Sequence, residues 1–239
     1  MRFECVSRTH VGLRRKINED SVFVDTGRGL WAVADGMGGH EAGEVASAMV
    51  TDALRRLPEA DDLDELAERA VETIGDVNRA LIELARSNGR EDAGTIGTTV
   101  VGLAIADGAF RCFWMGDSRA YRLRDGEIVR ITHDHSLVQE LVDAGMLKPE
   151  EAEAHENANL ITRAVGVAEK AEVEIVSGDV RTGDQFLLAS DGLTRLVGDD
   201  ELTAELERGS PDEAADHLIQ TVLGRGAPDN VSLVIVKLV

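Results

Sequence analysis

"TTVVGLAIADGAFRCFWMGD", residues 98–117, is two apolar runs joined by Asp107-Gly108. An Asp-Gly pair between such runs is a strong hairpin signal, because both residues tolerate the positive φ that a two-residue turn demands. The stretch therefore predicts two antiparallel strands, 98–107 and 109–117. "RAYRLRDGEIVRIT" (119–132) predicts a second hairpin around Asp125-Gly126. Further out, "SVFVDT" (21–26) alternates and "GLWAVAD" (29–35) is short and apolar. "AEVEIVSGDV" (171–180), "DQFLLASDG" (184–192) and "NVSLVIVKLV" (230–239) complete the strand set. Hairpin spacing of this kind implies antiparallel sheets.

Helices are equally legible. Over 62–86, Leu63, Leu66, Ala70, Ile74, Val77, Leu81 and Leu84 recur at three and four residues and form one apolar stripe. Residues 41–56 read as a helix opened by a glycine-rich turn. Ser136 with Gln139, and Ser210-Pro211 with Glu213, have the form of capping boxes before two more helices. Helices and strands are grouped rather than strictly alternating. An α+β fold with helices covering antiparallel sheets is expected, not a doubly wound parallel one.

The chain has 239 residues, without internal repeat or Pro/Gly/Ser-rich linker, so one domain over 1–239 is expected. A net charge of −20 argues against nucleic acid, whose phosphates need Lys and Arg, and against anionic membrane surfaces. "EADDLDELAERAVE" (59–72) reads as a solvated helix face. Cys5 and Cys112 lack metal-ligand spacing, which points to a reducing compartment without a disulfide. The first twenty residues lack an apolar signal region, and no apolar run approaches the roughly 20 residues of a membrane span. A cytoplasmic location is expected.

The acidic residues are placed with more purpose. Asp35 follows "LWAVA", Asp191 follows "FLLAS" and Asp117 follows "FWMG". Asp20 precedes the first expected strand and Asp229 the last. Strand ends hold side chains rigidly, and carboxylates gathered there repel unless a cation lies between them. A hard, oxygen-seeking ion such as Mg²⁺ or Mn²⁺ suits that donor set. Asp107-Gly108 and Asp125-Gly126 need no reading beyond hairpin turns. Asp35-Gly36 and Asp191-Gly192 differ, because no second hairpin strand follows them. At Gly36 the missing side chain lets a backbone carbonyl approach an ion. No G-x-x-x-x-G-K-[ST] loop and no G-x-S-x-G elbow occurs. His133 and His135 are spaced H-x-H but open a capped helix, which favours structural or solvated roles over zinc.

Eight segments carry a family resemblance. "RKINED" (15–20), "VADGMGGHEAG" (33–43), "GTT" (97–99), "GDSRAY" (116–121), "DHSLV" (134–138), "LITRAVG" (160–166), "ASDGL" (189–193) and "PDNVSLVIV" (228–236) stand in order along nearly the whole chain. Together they resemble the metal-dependent protein phosphatases of the type 2C Ser/Thr class. The stretch around Asp35 looks like the bacterial members associated with type VI secretion. The resemblance implies an α-β-β-α sandwich of two facing antiparallel sheets. It also implies hydrolysis of phosphoserine and phosphothreonine by a hydroxide bridging two Mg²⁺ or Mn²⁺ ions, in opposition to a cognate Ser/Thr kinase. A monomer is expected.

Carried onto this chain, the resemblance makes Asp35 the bridging ligand. The Gly36 carbonyl and Glu19, through water, serve one ion, while Asp191 and Asp229 serve the other. Asp20 belongs to the same cluster and orients metal-bound water. Asp117 matches a position that helps hold a third, weaker ion, and Arg15 matches the arginine that grips the substrate phosphate. A non-catalytic scaffold on the same fold would have lost these carboxylates, and Asp20, Asp35, Asp191 and Asp229 are all present. Two departures stand out. Met37 occupies the place where many eukaryotic members carry a proposed general-acid His, which leaves His40 as a candidate for proton transfer or substrate placement. The flap expected over about 143–167 lacks the His-Pro common in bacterial members.

Overall fold

The computed structural model describes residues 1–38, 42–87, 96–152 and 154–239. Two antiparallel sheets face each other, with helices on both outer sides. One sheet runs β1 (Phe3–His10), β11 (Val231–Leu238), β10 (Gln185–Ala189), β7 (Arg119–Arg124), β8 (Glu127–Arg130). The other runs β2 (Asp20–Asp25), β3 (Leu30–Met37), β5 (Val100–Ala106), β6 (Ala109–Met115), β9 (Glu174–Asp179), with β4 (Gly97–Thr98) beside β3. The sandwich that the resemblance implies is therefore the observed architecture.

Both Asp-Gly joints are tight turns. Asp107 and Gly108 have φ of 50° and 79°, and Asp125 and Gly126 have 52° and 81°. This is the left-handed pair that a two-residue hairpin requires. Between the sheets, Trp31, Val33, Val101, Leu103, Phe186 and Val234 form a dry middle layer. Alternation places the other residues of the same strands against the helices. Helix α1 (Ala42–Arg55) and helix α2 (Leu63–Ser87) cover β3 and β5 through Val50, Leu54, Leu66, Ala70, Ile74 and Leu81. The α2 stripe is the one its three-and-four periodicity predicts, and its acidic face is exposed.

The helices α3 (Leu137–Asp143), α4 (Pro149–Ala152), α5 (Asp191–Thr194), α6 (Asp199–Glu207) and α7 (Pro211–Gly224) follow. Helices α6 and α7 cover the first sheet, with Leu202, Leu206, Leu218 and Val222 packed on Leu187 and Ile235. The Ser210–Glu213 capping box is closed in both directions, with Pro211 at the helix start. Ser136 accepts from Gln139 N–H at 3.3 Å, but the Gln139 amide turns to Asp143 instead of returning to the cap.

One strand is missing from the sequence reading. β1 pairs with β11 along its whole length, from Phe3 with Leu238 to His10 with Val231. β2 is thus the second strand, and Asp20 is its first residue rather than the residue before it. β1 is an edge strand that buries only Val6. Glu4, Ser7 and Arg8 interrupt any apolar run that would mark it.

Candidate active site

The strand ends that carry the acidic residues gather at one edge of the sandwich. Asp20 on β2 lies in direct register with Asp35 on β3. Asp35 is clamped through its backbone. Its N–H donates to Thr99 Oγ1 at 3.1 Å, and its carbonyl accepts from Thr99 N–H at 2.8 Å and from the Thr98 hydroxyl at 2.9 Å. The Gly-Thr-Thr segment therefore acts as the rear wall that fixes Asp35. Gly36 follows, with its N–H donating to the Glu19 carbonyl at 3.0 Å. Its lack of a side chain has a packing reason. A Cβ there would strike the Gly43 carbonyl at the start of α1 and lie 2.6 Å from the Glu19 carbonyl. The Glu19 carboxylate in turn lies 2.5 Å from where a Cβ on Gly43 would stand, so Gly43 too must be bare.

Asp191 opens α5 with only Ser190 between it and the end of β10, and Asp117 follows β6. Asp229 stands two residues before β11 and caps the next N–H, that of Asn230, at 2.8 Å. Asn230, almost fully buried, ties the loop between β1 and β2 to this edge. Its amide donates to the carbonyls of Val11 at 2.9 Å and Ile17 at 3.0 Å, and its oxygen accepts from Glu19 N–H at 2.8 Å. That loop carries Arg15, whose guanidinium donates to Asp229 at 2.7 Å and is half exposed. The contact raises the Arg15 pKa further.

Charge is concentrated here. Burial pushes the Asp35 carboxyl well above the usual carboxylate range, and Asp20, Asp191 and Asp117 push it higher. Burial likewise pushes Asp20 up to about 7 against the hydroxyls of Ser232 and Ser190, and Asp191 and Asp229 add to the rise. Asp117 is pushed up to about 7 by burial and by Asp191, with Arg195 opposing. Glu19 is raised by burial and lowered by Arg15. Asp20 accepts from Ser190 at 2.9 Å through one oxygen, while its other oxygen and one of Asp117 are buried without a partner.

Buried, mutually repelling carboxylates with idle oxygens suit a hard divalent cation. Among the described residues, no three of these side chains are yet drawn together at metal-ligand spacing. Arginines hold them instead: Arg15 takes Asp229, and Arg195 takes Asp191 at 2.9 Å and Asp117 at 3.2 Å.

Glu19, Asp20, Asp35, Gly36, Asp117, Asp191, Asp229 and Arg15 thus stand on one edge. His40 lies outside the described residues. His133 and His135 are structural. His133 meets Asp143 at 2.7 Å. His135 is buried, accepts from Gly116 N–H at 3.1 Å, contacts Glu174 at 3.1 Å and stacks on Trp114. Burial lowers its pKa. The sequence reading missed Arg195, Asn230, Ser190 and the Arg119–Asp134 pair. In that pair a guanidinium grips a buried carboxylate with three contacts between 2.7 and 3.1 Å, joining "GDSRAY" to "DHSLV". The last residues of the expected flap return to the core, with Val165 and Thr98 exchanging backbone hydrogen bonds of 2.9 and 3.0 Å.

Residues 10–225 match the family model for protein phosphatase 2C. The serine/threonine protein phosphatase PstP of Mycobacterium tuberculosis is 39% identical over 98% of this chain, which spans 44% of that protein's length. PppA, a key regulatory component of the type VI secretion system in Pseudomonas aeruginosa, superposes with a TM-score of 0.90 at 39% identity, covering 99% of this chain and 98% of that one. The catalytic domain of PstP in complex with two manganese ions gives a TM-score of 0.87 at 37% identity, covering 98% and 97%. The chain belongs to the protein phosphatase 2C family.

Proposed function

We propose that residues 1–239, acting as one domain and as a monomer, hydrolyse phosphoserine and phosphothreonine in proteins and so reverse the action of a bacterial Ser/Thr kinase. The observation that carries this reading is the gathering of Asp20, Asp35, Asp117 and Asp191 at one edge, where Asp20, Asp117 and Asp191 all raise the Asp35 carboxyl, beside the half-exposed Arg15. Asp35, the Gly36 carbonyl and Glu19 would hold one ion, and Asp35, Asp191 and Asp229 the other. Two Mn²⁺ or Mg²⁺ ions would supply charge that neutralises phosphoryl oxygens and lowers the pKa of a water between them.

The chain's own residues do the rest. Arg15 leaves Asp229 to fork onto the incoming phosphate, a bidentate match that Lys cannot reproduce. Ser190 keeps Asp20 oriented, and Thr98 with Thr99 prevents Asp35 from moving as charge builds nearby. His40 is the candidate for proton transfer or substrate placement. The likeness to PppA supports a substrate in secretion control, which phosphoproteomics of a deletion strain would identify.

Hydrolysis of a phosphothreonine peptide tests the reading. Activity with Mn²⁺ should vanish with EDTA and fall at least about 100-fold in Asp35→Asn and Asp191→Asn. Wild-type rates in those variants would refute it.

A further inference from the structure

Arg195 sits where the acidic cluster would otherwise need another cation. One nitrogen, Nη2, lies 2.9 Å from Asp191 Oδ2, 3.2 Å from Asp117 Oδ2 and 3.5 Å from the Ala158 carbonyl. The placement is built into the chain. α5 is a single turn, and the Arg195 N–H closes it onto the Asp191 carbonyl at 2.9 Å. The i, i+4 relation then brings the Arg195 side chain back over the Asp191 carboxylate. One buried oxygen of Asp117 is left without a partner, too few donors to hold an ion by itself. A cavity of about 110 Å³ opens beside the guanidinium, lined by Arg119, Asp134, Ser136 and Thr194 as well as Asp117 and Asp191.

We infer that Arg195 is the resident cation of the Asp117–Asp191 pair, so that this chain takes up two metal ions and not a third. A guanidinium is permanently charged and cannot give up its place by losing a proton. Because it is tethered one helical turn from Asp191, it competes with free metal at a high effective concentration. A third ion at this pair would have to displace it. Arg195 also joins the pair to the expected flap through Ala158, a link that an ion in its place would remove. The inference rests on the reading of the Asp35 cluster as a metal centre.

Counting bound Mn²⁺ by the electron paramagnetic resonance of the free ion tests both without recourse to turnover. Wild type is expected to take up two ions and no more as Mn²⁺ rises to the millimolar range. Arg195→Gln and Arg195→Ala are expected to gain a third, weaker ion, and adding Asp117→Asn is expected to remove it again. Arg195→Lys keeps the positive charge and should remain at two. Three ions in wild type, one of them lost in Asp117→Asn, would overturn the inference. So would a folded Arg195→Gln protein that still binds two. No ion bound to wild type would overturn the metal centre itself, and the inference with it.

Discussion

Replacing Asn230 with Ala removes three hydrogen bonds that hold the loop between β1 and β2: those to the carbonyls of Val11 and Ile17 and that from Glu19 N–H. Asn230 is 4% exposed, so water does not substitute easily on its side of the contact. Ile17 is 38% exposed and its surroundings are wet, which keeps each loss near the lower end of the range for an orphaned partner. At about 1 kcal/mol each the sum is about 3 kcal/mol. For a chain of this size that corresponds to a fall in Tm of about 6–12 °C. Asn230→Asp should fall at least as far. It keeps the acceptor for Glu19 but turns a carboxylate towards two carbonyl oxygens. Urea unfolding gives the free energy, and phosphopeptide kinetics give the functional consequence, a raised KM as Arg15 and Glu19 lose their anchor. A change below about 0.5 kcal/mol in Asn230→Ala would refute the view that this side chain organises the loop.

Gly36→Ala is expected to destabilise the protein by about 1–3 kcal/mol and to abolish Mn²⁺ uptake, because its Cβ meets the Gly43 and Glu19 carbonyls; urea unfolding and metal titration check the two halves. Arg119→Ala should cost up to about 3 kcal/mol by leaving the buried Asp134 with only Arg130, at 3.6 Å, and Arg119→Lys should fall in between because it cannot form the fork. Mn²⁺ binding should release protons. Asp20 is raised to about 7 by burial and its acidic neighbours, so it is partly protonated at neutral pH and must ionise in the field of the metal. Affinity therefore rises from pH 6 to pH 8, and calorimetry in buffers of different ionisation enthalpy should show different heats; equal heats would count against it.

The fold was legible where a local signal forces a local structure. Asp107-Gly108 and Asp125-Gly126 dictate their hairpins through two positive φ values, and the stripe from Leu63 to Leu81 dictates α2. β1 escaped because its identity as a strand comes from pairing with β11, over two hundred residues away, and not from its own apolar content. The site divides in the same way. Asp35, Asp191 and Asp117 stand at the ends of apolar runs, a pattern visible in the sequence. Gly36 was expected for its openness to an ion, whereas the structure gives a prior steric cause in Gly43. Arg195 was illegible as a functional residue, and Asn230, though inside the "PDNVSLVIV" segment, was given no role of its own. Their importance lies in which carbonyls and carboxylates they reach across the fold, and a sequence carries no local mark of that.

Anomalous scattering from crystals soaked in Mn²⁺ tests the central claim most directly. The account predicts two peaks about 3.5–4 Å apart, with Asp35 reaching both, Glu19 and the Gly36 carbonyl on one side and Asp191 and Asp229 on the other. A single peak away from Asp35, or none at this edge of the sandwich, would contradict it.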